Sequence, residues 1–412
     1  MSLPQAEPVF RQMLETEEWK IESSTPGKAA NLVLSQLGGI YGIDYLKNEE
    51  MLKLLNTANA GGKSHSWLLD KLDDLESLVK RHEPVNASKI NSTLFEIRSI
   101  TSASGEAINE EHFYQEIKRI AQLYPNYLHD PQKLKKGVCD IGMFQVGISV
   151  QCPKCNQRNW YAFDKLQYEL RCKKCLQASP IHTWEEFTRA YRTFGPFSLP
   201  GHAYGAYAVL ITLDFFKGQF MRPSVTPMMS FTAKKVINGK EKEIEADLGL
   251  LMSDTSWEGN RTRLLFCECK TFNNLKKSDK ARMSLIANEF PDAILVFATL
   301  NKSLSKTEKK LLLSLLQKVR RQNASRHTDG NLLILTGNEL FALHGPPYCW
   351  KGKGADFDAF SDRYNSTRGI AELCDITVQL YLKAEPESHW WQMHQIKKHS
   401  RRKKSGSISL KN

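Results

Sequence analysis

The chain has 412 residues, 41% of them hydrophobic and 25% charged, a mixture that excludes an intrinsically disordered protein and a length that predicts two or three domains. No apolar stretch approaches the ~18 residues of a membrane span, and the start, Met1-Ser2-Leu3-Pro4, has neither the basic flank nor the apolar run of a secretory signal, so a cytoplasmic protein with no membrane association is expected. The net charge is +12, and six Lys/Arg fall between Lys397 and Lys404; this balance suits a polyanion partner, and it equally suits a solvated surface with a basic tail.

Residues 1–138 read as a mainly helical N-terminal region. Leu68, Leu72, Leu75 and Val79 share one helical face, as do Phe113, Ile117, Ile120 and Tyr124, with Pro125 stopping the second helix. Gly61-Gly62-Lys63 lacks the remaining glycine spacing of a phosphate loop. The region shows no recognisable chemistry and is silent on function; one reading, in which an activity of the chain is latent and switched on by a protein partner, makes it the docking element.

Residues 139–182 contain two tight cysteine pairs, Cys152-Pro153-Lys154-Cys155 and Cys172-Lys173-Lys174-Cys175, separated by sixteen residues. In a reducing compartment this spacing reads as a zinc ribbon, in which two knuckles supply four thiolates to one Zn²⁺. Four thiolates close the coordination sphere, so the zinc is expected to be structural. Strands are expected at 158–163 and 168–171. Lys154, Arg158, Arg171, Lys173 and Lys174 make the module basic. Trp160, Tyr161 and Phe163 have two readings, stacking on bases or filling the small core. Cys139, Cys267, Cys269, Cys349 and Cys374 show no ligand spacing, and Cys267 and Cys269, alternating on the apolar face of the third strand, read as packed thiols.

Residues 200–345 change pattern. An apolar helix is expected over 204–217, then strands over 226–236 and 243–252 joined through Asn238-Gly239, a short-hairpin signal. A third strand follows over 263–270. Ser278 is the expected cap of a helix carrying Met283, Ile286, Ala287 and Phe290 on one face. A buried strand is expected at 293–299. Ser305 and Glu308 form a capping box for a helix through Arg321 with Leu312, Leu315, Leu316 and Val319 inward, and a last strand covers 332–336. Residues 346–396 form a C-terminal extension with a helix at 370–382, and 397–412 the basic tail.

Glu268-Cys269-Lys270 closes the third strand. Alternation puts Phe266, Glu268 and Lys270 on one face and Leu265, Cys267 and Cys269 on the other. Two charges ending an apolar strand are costly to bury, so they are expected to face a cleft or solvent. Asp247 lies in the preceding strand, and a hairpin centred within the polar segment 253–260 sets it opposite Glu268, within the ~5 Å of a cross-strand pair. Two such carboxylates repel unless a hard cation lies between them. Glu245 shares their face and is a further candidate ligand.

The order helix, three-strand meander, helix, strand, with Asp on the second strand and Glu-x-Lys on the third, resembles the PD-(D/E)XK (restriction-endonuclease-like) nuclease superfamily over about residues 200–340. Ala246 stands where that family usually has Pro, and on the first helix the nearest acidic residue is Asp214, late in its length. The resemblance implies an α/β restriction-endonuclease-like core joined to the zinc ribbon and the helical N-terminal region. It implies a Mg²⁺- or Mn²⁺-dependent endonuclease that hydrolyses phosphodiester bonds, with Asp247 and Glu268 as metal ligands, Lys270 orienting the attacking water and Glu245 assisting. DNA is the expected substrate because the superfamily mostly cuts DNA, in phage defence or repair; the residues themselves leave RNA open. The rival reading is a nucleic-acid-binding or assembly protein that keeps the fold without turnover.

Overall fold

In the computed structural model, residues 6–58, 107–124, 127–219, 225–237, 239–256, 259–323, 332–363 and 369–385 are described, and the chain divides into two units. One comprises Met1–Leu34, Gly39–Ile43 and Gly205–Asn412, the other Ser35–Gly38 and Asp44–Tyr204. Three features read from the sequence, the Leu68–Val79 stripe, Gly61-Gly62-Lys63 and the basic tail at 397–404, lie outside the described residues.

The first unit contains α1 (Ala6–Thr16), β1 (Lys20–Ser23), α2 (Ala206–Gln219), β2 (Val225–Ile237), β3 (Lys240–Ser256), β4 (Gly259–Lys270), α3 (Lys277–Glu289), β5 (Ile294–Thr299), α4 (Lys306–Asn323), β6 (Leu332–Leu335) and α5 (Ile370–Leu382). Its strands form one sheet in the order β1-β2-β3-β4-β5-β6. The first four are antiparallel neighbours, while β5 and β6 run parallel to β4. Every residue of β5 and β6 is buried, as parallel strands covered on both faces require.

Local chemistry explains the boundaries. Ile237 pairs with Lys240, and Gly239 has φ +73°, the left-handed conformation that a two-residue hairpin connection demands; Asn238 lies outside the described residues. The expected capping box forms at α4: Ser305 Oγ accepts the Glu308 backbone N–H at 3.2 Å, and Glu308 accepts that of Ser305 at 2.8 Å. Leu312, Leu315, Leu316 and Val319 are buried beneath it. The cap of α3 departs from expectation. The helix starts at Lys277, with Asp279 accepting the Lys276 N–H at 2.7 Å, so Ser278 lies inside the first turn. A carboxylate competes better than a hydroxyl for the positive helix terminus.

The N-terminal residues complete this sheet. Lys20 to Ser23 pair with Lys234 to Phe231 of β2. From α1, Phe10 packs its ring edge-on against Phe231 at 5.6 Å and Phe266 at 6.4 Å. Gly249 makes that seat possible, because a Cβ there would lie 2.3 Å from Phe10 Cζ.

The second unit holds a four-stranded sheet, in the order Ile108–Asn109, Glu185–Thr193, Phe144–Gln151, Arg158–Ala162, and a separate two-stranded ribbon of Glu169–Arg171 with Ala178–Pro180. The helix Glu110–Ala121, capped by Asn109, buries Phe113, Ile117 and Ile120. No helix among the described residues is long and apolar enough to cross a membrane.

Candidate active site and metal centre

The register of the meander determines which side chains meet. Pairing of β3 with β4 runs from Ser256↔Gly259 to Leu248↔Cys267, and one further step sets Asp247 against Glu268, as the hairpin reading required. Gly249 faces Phe266 in the same register, so the face carrying Asp247, Glu268 and Lys270 is the one on which Phe10 and, at 5.0 Å from Phe266, Phe290 sit. Cys269 points the other way, its sulfur 3.7 Å from Thr212 Oγ1 of α2, and both Cys267 and Cys269 are buried.

Of the two surroundings expected for Glu268 and Lys270, a cleft or solvent, Glu268 does not have open solvent. Glu268 is 3% exposed. Its charge is tolerated because Oε1 accepts from Lys270 Nζ and from Arg282 Nη2, both at 2.8 Å. Arg282 comes from α3, as does Asp279, which binds the same two cations, Lys270 at 3.0 Å and Arg282 at 2.9 Å. Glu268, Lys270, Asp279 and Arg282 thus form a closed ring of alternating charge. Glu245 joins from outside it, its Oε2 3.7 Å from Arg282 Nε.

Asp247 stands outside the ring. Its Oδ2 accepts the backbone N–H of Cys269 at 2.7 Å. Burial, and next the charge of Glu268, push its carboxyl up from the ordinary 3.8 to about 7, against the pull of that N–H, Lys270 and Arg282. Burial works against the Lys270 ammonium as well, but Glu268 and Asp279 hold its pKa above the usual lysine value. With all groups ionised the cluster sets four carboxylates against two cations, which leaves a deficit of positive charge beside Asp247.

Asp279 and Arg282 were not legible as site residues. A carboxylate beyond Asp247, Glu268 and Glu245 comes from the helix after the strand and not from the first helix, where Asp214 was the nearest candidate. In sequence Asp279 resembles any first-turn acid and Arg282 its ordinary i,i+3 partner; the only signal was that both precede the apolar face of a helix directly following Glu-x-Lys.

In the second unit the four cysteines converge. All their sulfurs lie within 4.8 Å of one another. Cys152 to Cys175 measures 3.8 Å and Cys155 to Cys172 3.6 Å, close to the ~3.8 Å edge of a tetrahedron of sulfurs ~2.3 Å from a central zinc. The knuckles are built alike. Cys152 N–H donates to Gln157 O and Cys172 N–H to Gln177 O, each at 2.9 Å, and the residue after each second cysteine, Asn156 or Leu176, has positive φ. Burial opposes ionisation of Cys172, yet the N–H groups of Cys175 and Lys174 and the Asn159 amide bring its thiol down to about 6. Buried Asn159 also accepts the Lys173 N–H at 2.9 Å, bracing the second knuckle from outside. This set fits a closed metal centre. Among the described residues it is the group of three or more Cys, His or carboxylate side chains whose donor atoms converge.

Comparison of the chain with protein-family models, with curated proteins and with solved structures gave no match.

The aromatic residues of the module differ in how far they are tied into it. Tyr161 donates its hydroxyl to Arg171 O at 2.7 Å and packs edge-on against Trp184 at 5.9 Å. Trp160 donates its indole N–H to Ala190 O at 3.1 Å. Both are tied into the module, whereas Phe163 remains 43% exposed.

Proposed function

We propose that the chain is a Mg²⁺- or Mn²⁺-dependent endonuclease of the PD-(D/E)XK type acting on DNA, with a zinc ribbon as structural support, in a cytoplasmic setting where the cysteines stay reduced. The observation that carries this reading is Asp247, facing Glu268 across the hairpin and left without a cation of its own. A facing pair of carboxylates suits a hard divalent ion, and the lack of a cation beside Asp247 supplies a reason for one to bind. When bound, such an ion polarises a phosphoryl oxygen and acidifies a coordinated water.

The chain's own residues do the rest. Asp247 and Glu268 would hold the ion, and the N–H of Cys269 fixes the Asp247 carboxylate. Lys270, held by Glu268 and Asp279, keeps its proton and orients the attacking water while offsetting phosphate charge. Burial of the carboxylates strengthens every one of these interactions by excluding water. Defence against foreign DNA or repair is the role the family resemblance implies.

A second reading has an observation in its favour. Glu268 already has two cationic partners, which is also how a nucleic-acid-binding or assembly protein would keep a nuclease fold without turnover. Incubation with single-stranded, duplex and branched DNA and with RNA, with Mg²⁺, Mn²⁺ or EDTA, separates the two. Cleavage that EDTA abolishes supports the nuclease; binding with metal uptake and no cleavage of any substrate supports the rival.

A further inference from the structure

The cations of the charged ring are placed differently from its anions. Side-chain exposure is 3% for Glu268 and 4% for Asp279, against 18% for Lys270 and 32% for Arg282. The accessible side of the ring is therefore its positive side. Arg282 spends only Nη2 on the carboxylates. Its Nε is buried and has no hydrogen-bond acceptor, since Glu245 at 3.7 Å is an ion-pair neighbour beyond hydrogen-bond reach. Nη1 makes no hydrogen bond among the described residues. A planar guanidinium with Nη2 anchored on carboxylates, and Nε turned toward Glu245, keeps Nη1 to take an oxyanion.

Asp279 makes the arrangement rigid. One oxygen accepts the Lys276 N–H at 2.7 Å and binds Lys270 at 3.0 Å, while the other binds Arg282 at 2.9 Å. The first turn of α3 thereby fixes the separation of the two cations relative to Glu268. An ordinary helix surface pair would leave both ends free in solvent; here the carboxylate end is buried and only the cationic ends are reachable.

Resting on the nuclease reading, we infer that Arg282 binds a non-bridging oxygen of the phosphodiester that is cut, and that Asp279 is a positioning residue holding Lys270 and Arg282 side by side toward it. The substrate class is a phosphodiester polyanion gripped beside the Asp247–Glu268 pair from the α3 side. No covalent step is assigned to Arg282; it neutralises charge that grows on the phosphate as the bond to the leaving oxygen breaks.

The test uses the full chain and two readouts. The first is anisotropy of a short fluorescein-labelled DNA duplex with Ca²⁺ replacing Mg²⁺, titrated at several salt concentrations. The second is the cleavage rate with Mg²⁺. Arg282→Gln keeps hydrogen-bonding capacity but loses charge. It should weaken duplex binding roughly tenfold, reduce the salt slope by about one and lower kcat about a hundredfold, with part of the binding retained in Arg282→Lys. Asp279→Asn still accepts the Lys276 N–H, so the helix stays capped. It should lower kcat more than it raises KM, because it loosens the cations without removing them. Melting temperature is followed for each variant, and added guanidinium ion should partly restore Arg282→Ala, an outcome that a merely structural role does not produce. Unchanged duplex binding and salt slope in Arg282→Gln overturns the inference whatever the cleavage assay shows. A wild-type chain that never cuts, with binding still weakened in Arg282→Gln, removes the nuclease reading and leaves the phosphate contact standing.

Discussion

Asp247 and Glu268 face each other across β3 and β4, yet Glu268 has two cations within 2.8 Å and Asp247 is held by a backbone N–H alone. Facing positions on one hairpin therefore have opposite electrostatic surroundings, and substitutions at the two should differ in sign.

Glu268→Ala removes the anion that both Lys270 and Arg282 bridge. Breaking a buried pair leaves uncompensated charge, and because both cations keep some water the expected loss is about 2–4 kcal/mol. Denaturant unfolding at neutral pH measures it. A Glu268→Ala chain as stable as wild type would show that the ring contributes nothing to the fold.

Asp247→Asn should stabilise the chain at alkaline pH. The carboxyl is pushed up to about 7 by burial and by Glu268, so between about pH 4 and pH 7 the native state holds a proton that the unfolded chain releases. Wild-type stability from this group accordingly falls as pH rises through that window and stays lower above it. The amide keeps the Cys269 contact without the charge, giving a gain of about 1–3 kcal/mol at pH 8 that vanishes near pH 4. Paired unfolding curves across this range check both sign and window. By the same linkage, divalent-metal affinity should rise with pH up to about 7, since the ion must displace that proton.

The meander was readable because its signals are local. Asn238-Gly239 marks one turn, the polar segment 253–260 another, and together they impose the register that brings Asp247 to Glu268. Capping chemistry at Ser305 and Glu308 was equally local. What escaped depends on distance in sequence. β1 is four residues long, and only pairing with Lys234 to Phe231, some two hundred positions away, makes it a strand. The seat of Phe10 on Gly249 is likewise invisible until the sheet is assembled. Asp279 and Arg282 escaped for another reason: a capping acid and its i,i+3 arginine are commonplace on helices, and only the position of α3 brings them against Lys270 and Glu268.

Gly249→Ala tests that seat. A Cβ 2.3 Å from Phe10 Cζ overpacks the face that carries the site, at an expected cost of about 1–3 kcal/mol. In the Gly249→Ala background, Phe10→Leu should cost less than it does in wild type, and a double-mutant cycle reads the coupling. Additive effects would mean that α1 does not press on β3.

Purified protein should hold about one Zn²⁺ per chain, the stoichiometry of a four-thiolate site. Cys172→Ser should release it and unfold the knuckles with their buried neighbours Leu170 and Trp184, because metal binding and folding of such a module are one equilibrium. Elemental analysis that finds no zinc in well-folded protein would end this assignment.

Diffraction from a crystal of the full chain soaked in Mn²⁺, recorded for anomalous scattering, tests the central claim most directly. A single Mn²⁺ peak liganded by Asp247 and Glu268, absent in Asp247→Ala and retained in Lys270→Ala, is the predicted result. A Mn²⁺ peak elsewhere, or no peak with Arg282 and Lys270 still closed over Glu268, would contradict it.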